Sequence, residues 1–119
     1  MTITSTDIDS FFDRYSAALL DRDAETIATL YAVPSLILFP GQSIAVDDAQ
    51  RTAEFFAGSW SQYEGIDDIQ RTTTTMGSGP GSVWVDVTWT YGGKPREHFC
   101  YQLVDGANGP QIAVLTLLD

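Results

Sequence analysis

His98 and Cys100 are the only histidine and the only cysteine in this 119-residue chain, and they stand two apart in the stretch YGGKPREHFCYQLV, Tyr91 to Val104. A neutral imidazole is suited to proton transfer near neutral pH, and a thiol becomes a nucleophile when a base or a positive field favours its thiolate. Two residues apart on a strand, the side chains stand side by side on one face, so His98 is not placed to activate Cys100. Cys100 therefore reads as a small hydrophobe. His98 remains the candidate acid–base residue, against the plainer reading that a single interior histidine is more often a hydrogen-bonded core residue. One His and one Cys fall short of a zinc ligand set, and no metal or cofactor is expected.

Three helices must precede that stretch. Ile8, Phe11, Phe12, Tyr15, Ala18 and Leu19 recur at helical spacing, with Thr6 and Asp9 reading as a capping box. Asp23 is placed to cap a second, shorter helix with Ile27, Leu30 and Tyr31 on its buried stripe, ending before Pro34. SLILF, Ser35 to Phe39, reads as a strand stopped by Pro40-Gly41. Asp47 with Gln50 reads as a second capping box, and Ala49, Ala53, Phe56 and Trp60 fall on one face of a third helix. IQRTTTTMG, VWVDVTWTY, REHFCYQLV and QIAVLTLL are then four β-rich runs separated by Gly and Pro clusters. Helices followed by strands predict one α+β domain over 1–119, its helices covering one face of an antiparallel sheet.

Gly92-Gly93 between two β-patterned runs predicts a two-residue hairpin turn, whose central residues need positive φ. Counting outward, Tyr91 opposes Lys94, Trp89 opposes Arg96, Val87 opposes His98 and Val85 opposes Cys100. The face with the valines and Trp89 is the more apolar and turns to the helices, so His98 and Cys100 are expected inside. Glu97, Phe99 and Tyr101 are expected outside with Trp84. A turn that also took in Lys94 and Pro95 would slip the register and exchange the faces.

Six basic residues against sixteen acidic ones give a net charge of −10. That field repels nucleic-acid phosphates and anionic membranes, so neither is an expected partner. A lone cysteine forms no internal disulfide, and MTITSTDIDSFF has neither a basic segment nor an apolar run, so a soluble cytoplasmic protein is expected.

In order along the chain, RYSAAL, IATLYA, FPG, EFFA, VTWTYGGK and EHF resemble the nuclear transport factor 2-like superfamily, also called SnoaL-like, and within it the ketosteroid isomerases. The resemblance runs nearly end to end. It implies a cone-shaped, strongly curved antiparallel sheet wrapped around three N-terminal helices, with a deep apolar pocket between them. The expected wall is Phe39, Phe55, Phe56, Trp60, Val85, Val87 and Trp89, with Ile112, Val114, Thr116 and Leu118 from the last strand. Tyr15 matches the family's oxyanion-donating tyrosine. The isomerases' general-base aspartate would precede the FPG proline, where this chain has Phe39, and a phenyl ring moves no proton. Their second acid precedes the HF pair, at Glu97 here, but pleat parity counted from Gly92-Gly93 puts Glu97 outside and His98 inside.

Two functional readings follow. The first is a non-catalytic module with an apolar ligand pocket, pairing as a homodimer through an outer face bearing Trp84, Phe99 and Tyr101, as family members commonly do. The second is an isomerase, cyclase or hydratase in which His98 is the acid–base residue and Tyr15 polarises the substrate.

Overall fold

The computed structural model describes residues 3–107 and 109–118. Within them the order is α1 (Ser5–Leu20), α2 (Ala24–Thr29), β1 (Tyr31–Phe39), β2 (Gln42–Val46), α3 (Ala49–Ala57), a 3-10 turn (Trp60–Tyr63), β3 (Ile69–Gly79), β4 (Ser82–Tyr91), β5 (Lys94–Gly106) and β6 (Gly109–Leu117). The six strands form one curved sheet in the order β2-β1-β6-β5-β4-β3. The α+β class holds. The sheet is mixed and not purely antiparallel, because β1 returns beside β6 in parallel.

The helices begin where local hydrogen bonds stop competing with the chain before them. Thr4 caps α1: its hydroxyl accepts from the Asp7 N–H at 3.1 Å, and the Asp7 carboxylate accepts from the Thr4 N–H at 2.8 Å. The expected box lay two residues later, at Thr6 and Asp9. Asp23 caps α2 through the Thr26 N–H, as expected. Asp48, and not Asp47, caps α3, while Asp47 pairs with Arg51 on the surface. Tyr31 opens β1 instead of closing α2, and β2, which the sequence did not signal, folds back across the Pro40-Gly41 turn.

The Gly92-Gly93 turn forms with both glycines at positive φ, and Tyr91 opposes Lys94. The valine face is also inside, with Val83, Val85, Val87 and Trp89 all buried. The assignment between these two correct premises is overturned by one residue. Thr90 opposes Pro95 but Trp89 opposes Glu97, leaving Arg96 as a bulge. An extra residue in one strand exchanges its faces from that point on. Val87 therefore opposes Phe99, Thr88 opposes His98 and Asp86 opposes Cys100. Phe99 and Tyr101, at 8 % and 1 % exposure, are inside, and Trp84, at 40 %, stays outside.

A second bulge does the same to β6. Gln102 opposes Val114 but Leu103 opposes Ile112, so Ile112 and Leu115 point inward. Val114 and Thr116, expected on the inner wall, pair with the outward Gln102 and Cys100. A third irregularity sits between Thr75 and Gly77 in β3.

The core is the α1 stripe Ile8, Phe11, Phe12, Tyr15 and Leu19 laid into the concave face of β4 and β5. Phe12 meets Tyr101 at 5.1 Å and Trp89 at 6.0 Å between ring centres, both edge to face. Arg71 ties α1 to β3, bonding the Asp13 carboxylate at 2.9 Å and the Asp9 carbonyl at 3.0 Å.

The exchanged faces have a direct stability consequence. Phe99→Ala should cost about 3–5 kcal/mol, the usual range for emptying a buried aromatic position, whereas Gln102→Ala on the outer face should stay within roughly 0.5 kcal/mol. Urea denaturation of the two variants checks this, and the reverse order would restore the unbulged register.

Candidate functional site

Between the helices and the sheet lies a cavity of about 290 Å³. All five tyrosines of the chain line it: Tyr15 from α1, Tyr31 from β1, Tyr63 from the 3-10 turn, Tyr91 from β4 and Tyr101 from β5. Trp89, Phe39, Phe55, Phe56, Phe99, Leu19 and Leu115 complete the apolar wall, with Ser59 and Glu97 as the other polar residues. Glu97 is the only charged residue of that lining.

Each hydroxyl is held by the element that carries it. The C-terminal end of α1 is fastened to the 3-10 turn by Arg22, at φ 56°, whose guanidinium donates to the carbonyls of Leu19, Tyr63 and Ile66. This fixes Tyr63 against Tyr91, with ring centres 5.7 Å apart and planes at 67°. Tyr91 donates to Glu97 Oε1 at 2.5 Å, and Tyr63 reaches the same oxygen at 3.5 Å. On the α1 side the hydroxyls of Tyr15 and Tyr31 are 2.9 Å apart, so one donates to the other. Trp89 Nε1 donates to the Tyr101 hydroxyl at 2.9 Å.

The inventory of unused capacity follows from these bonds. The Tyr101 proton and one proton of the Tyr15–Tyr31 pair have no acceptor among the described residues, and Glu97 Oε2 receives no hydrogen bond from them. The cavity thus offers two phenol donors and one carboxylate acceptor in otherwise aromatic surroundings.

Burial favours the neutral phenol at every one of these tyrosines. Tyr15 and Tyr101 are raised well above the usual 10.0, chiefly by loss of water and then by the neighbouring Tyr31. Tyr31 is raised by burial. Tyr63 is pushed up to about 12 by burial and then by the Glu97 charge. Tyr91 rises further, through burial, Tyr63 and Glu97.

Among the residues expected to form the site, Tyr15, Phe39, Phe55, Phe56 and Trp89 line the cavity. Val85 and Val87 are fully buried beneath it, in the core. Trp60 packs behind the lining, its ring 6.4 Å from Phe56 and 6.1 Å from Tyr63. Val114 and Thr116 belong to the outer face, for the parity reason given above.

His98 is not in this cavity. It opens to the outer face of the sheet, where Nε2 lies 2.8 Å from Asp86 Oδ1. Cys100, opposite Asp86, lies 3.8 Å from Met76 Sδ, and burial together with Asp86 raises its pKa, the opposite of what a nucleophile needs. Tyr31, Tyr63, Tyr91, Glu97, Phe99 and Tyr101 were missed as site residues, the last three because they were expected on the outer face. The placement of an acid before the HF pair was a usable signal for Glu97, and pleat parity overrode it.

A curved sheet closed by helices over an aromatic cavity defines a cystatin-like α+β domain. No family model and no curated protein matches the chain. Solved structures do. A protein of unknown function from Pectobacterium atrosepticum is 15% identical with a TM-score of 0.70, over 99% of this chain and 95% of that one. A ketosteroid isomerase-like protein from Erwinia carotovora atroseptica is 16% identical with a TM-score of 0.64, over 93% and 92%. A domain of unknown function with a cystatin-like fold from Nostoc punctiforme is 14% identical with a TM-score of 0.58, over 95% and 76%. At these identities the likeness is one of fold.

With every tyrosine raised, the folded state holds its phenol protons more tightly than the unfolded chain, where the pKa is about 10. The tyrosines' contribution to stability is therefore constant below pH ~10 and falls as pH rises above it. An alkaline titration followed by near-ultraviolet phenolate absorbance should show no tyrosine ionising near pH 10, then a single cooperative rise coinciding with loss of near-ultraviolet circular dichroism. Gradual ionisation of the folded protein around pH 10 would contradict the buried network.

Proposed function

We propose that this chain is a small-molecule-binding domain of the nuclear transport factor 2-like type, with the tyrosine-lined cavity as its ligand site. The observation that carries the reading is the cavity itself: about 290 Å³ of aromatic space holding one carboxylate. That volume is just below the roughly 300–1,000 Å³ usual for such sites, and the pattern of apolar walls with a few convergent polar groups is the usual one. The fold neighbours support the class of domain and not the ligand.

The acid–base reading built on His98 and Tyr15 loses its geometry, since the two residues open to opposite faces of the sheet. Phe39 stands where a ketosteroid isomerase would need its base, and a positioned base typically contributes about 10²–10⁴-fold. No appreciable conversion of a β,γ-unsaturated ketosteroid to its conjugated isomer is expected. A panel of small ring compounds, by contrast, should contain members that raise the melting temperature, because a ligand at a hundredfold excess over its Kd stabilises the folded state by about 2.7 kcal/mol. Ser59→Trp, which places a large ring in the cavity, should abolish the shift. Robust ketosteroid turnover, or ligand shifts indifferent to Ser59→Trp, would overturn the reading.

The outer face supports a homodimer with a different set of contacts from those first expected. Trp84 and Met76, at 40 % and 61 % exposure, lie there beside Cys100 and Gln102. Asp86 on this face is hydrogen-bonded to His98 across the strands, Nε2 to Oδ1 at 2.8 Å. A second copy meets less like-charge repulsion here than on the acid-rich helices. Sedimentation at micromolar concentration should give about twice the 13.0 kDa chain mass, and Trp84→Asp should return it to the monomer.

A further inference from the structure

Glu97 is placed at the corner where the rings of Tyr63 and Tyr91 meet edge to face at 67°, with both hydroxyls converging on its Oε1. A carboxylate only accepts hydrogen bonds, and Oε1 already has both phenols. Oε2 has no donor among the described residues, so a bound molecule completes this site best by bringing one. Aromatic faces beside a carboxylate favour one kind of donor above others, an ammonium group, which gains both the charge-assisted hydrogen bond and attraction to the negative ring faces. An anion placed there would meet Glu97 with no cation on the cavity wall.

Two native cations come near this corner, and neither occupies it. Arg22 lies over the Tyr63 ring at 5.8 Å, but its guanidinium is bonded to three backbone carbonyls and is not part of the lining. Arg96, the bulge residue, shares a shallow hollow with Tyr63, Ile66, Tyr91 and Glu97 beside the cavity and makes no ion pair among the described residues.

We infer that the cavity selects an organic ammonium ion carried on an apolar ring skeleton, with Glu97 as its counter-ion and Tyr63 and Tyr91 as the adjoining aromatic walls. This rests on the reading of the cavity as a ligand site and adds the chemical class of the ligand. Glu97 has the binding role here; its two phenol partners orient it by holding one oxygen and leaving the other to the ligand.

The test compares three compounds of matched shape, 2-phenylethylamine, 2-phenylethanol and phenylacetate, together with the same set on a naphthyl skeleton, by isothermal titration at neutral pH. The amine should bind about tenfold or more tighter than the alcohol, and phenylacetate should bind weakest. Glu97→Gln, which keeps the shape and removes the charge, should weaken the amine about tenfold while leaving the alcohol within about threefold. The wild-type ranking stands alone if the variant fails to fold. An alcohol or phenylacetate that binds as tightly as the amine would leave the cavity a ligand site and refute the ammonium assignment. Failure of all six compounds to bind would overturn both. Amine binding that Glu97→Gln does not weaken, in a folded variant, would refute the role of Glu97.

Discussion

The single extra residue at Arg96 is the constraint on which the site depends. A sheet that wraps around its own helices cannot keep a regular pleat over ten-residue strands, and nature relieves the bend with bulges, which add twist and break pairing locally. Each bulge also exchanges the two faces of its strand. On β5 the exchange delivers Glu97, Phe99, Tyr101 and Leu103 to the concave side and sends His98 and Cys100 out. On β6 a bulge at Ala113 lets Ile112 and Leu115, three apart, both point inward. Without the first of these the cavity would have a histidine and a thiol in its wall and no carboxylate.

The rings that define the cavity are the same rings that hold the protein together. Tyr15 stacks on Trp89 at 5.8 Å and meets Phe56, Tyr31 and Tyr101 within 6.3 Å. A tyrosine in such a place contributes apolar area through its ring and would cost stability through its hydroxyl if the hydroxyl were left dry and unbonded. The chain resolves this by pairing hydroxyls with one another, with Trp89 and with Glu97, so that almost every polar atom of the wall has a protein partner. The few capacities left over are not scattered. They belong to Tyr15, Tyr31, Tyr101 and Glu97, all of which line the cavity.

Much of this was legible in the sequence. The helical stripe of α1, the Asp23 cap, the Gly92-Gly93 turn and the inward valines are short-range signals, each set by neighbours within a few residues, and each is present as read. Tyr15, Phe39, Phe55, Phe56 and Trp89 were expected at the cavity through the resemblance, and they line it. The bulge in β5 was legible in part, because Pro95 cannot donate to a strand ladder and such residues are placed at edges and bulges; the exchange of faces was the alternative reading of this turn, but its cause is a bulge at Arg96 with the two-residue turn kept. Parity is an all-or-none inference, so one unseen residue reversed every assignment beyond it. The acid before the HF pair pointed to the inner face because a motif match along the chain does not depend on counting pleats from the turn.

The position of the charge gives the geometry its electrostatic direction. Sixteen acidic residues against six basic ones surround the domain with a negative field, which raises the local concentration of cations and lowers that of anions near any opening. The cavity wall adds Glu97 and no compensating base, and in a region of low polarity a fixed charge acts with less screening than on the surface. The outer face is arranged differently, with Asp86 meeting His98 at 2.8 Å across the sheet. By exchanging Glu97 with His98, the bulge keeps an acid without a basic partner inside and an acid with its histidine outside. The wall of the cavity is thereby left with one carboxylate and no basic side chain.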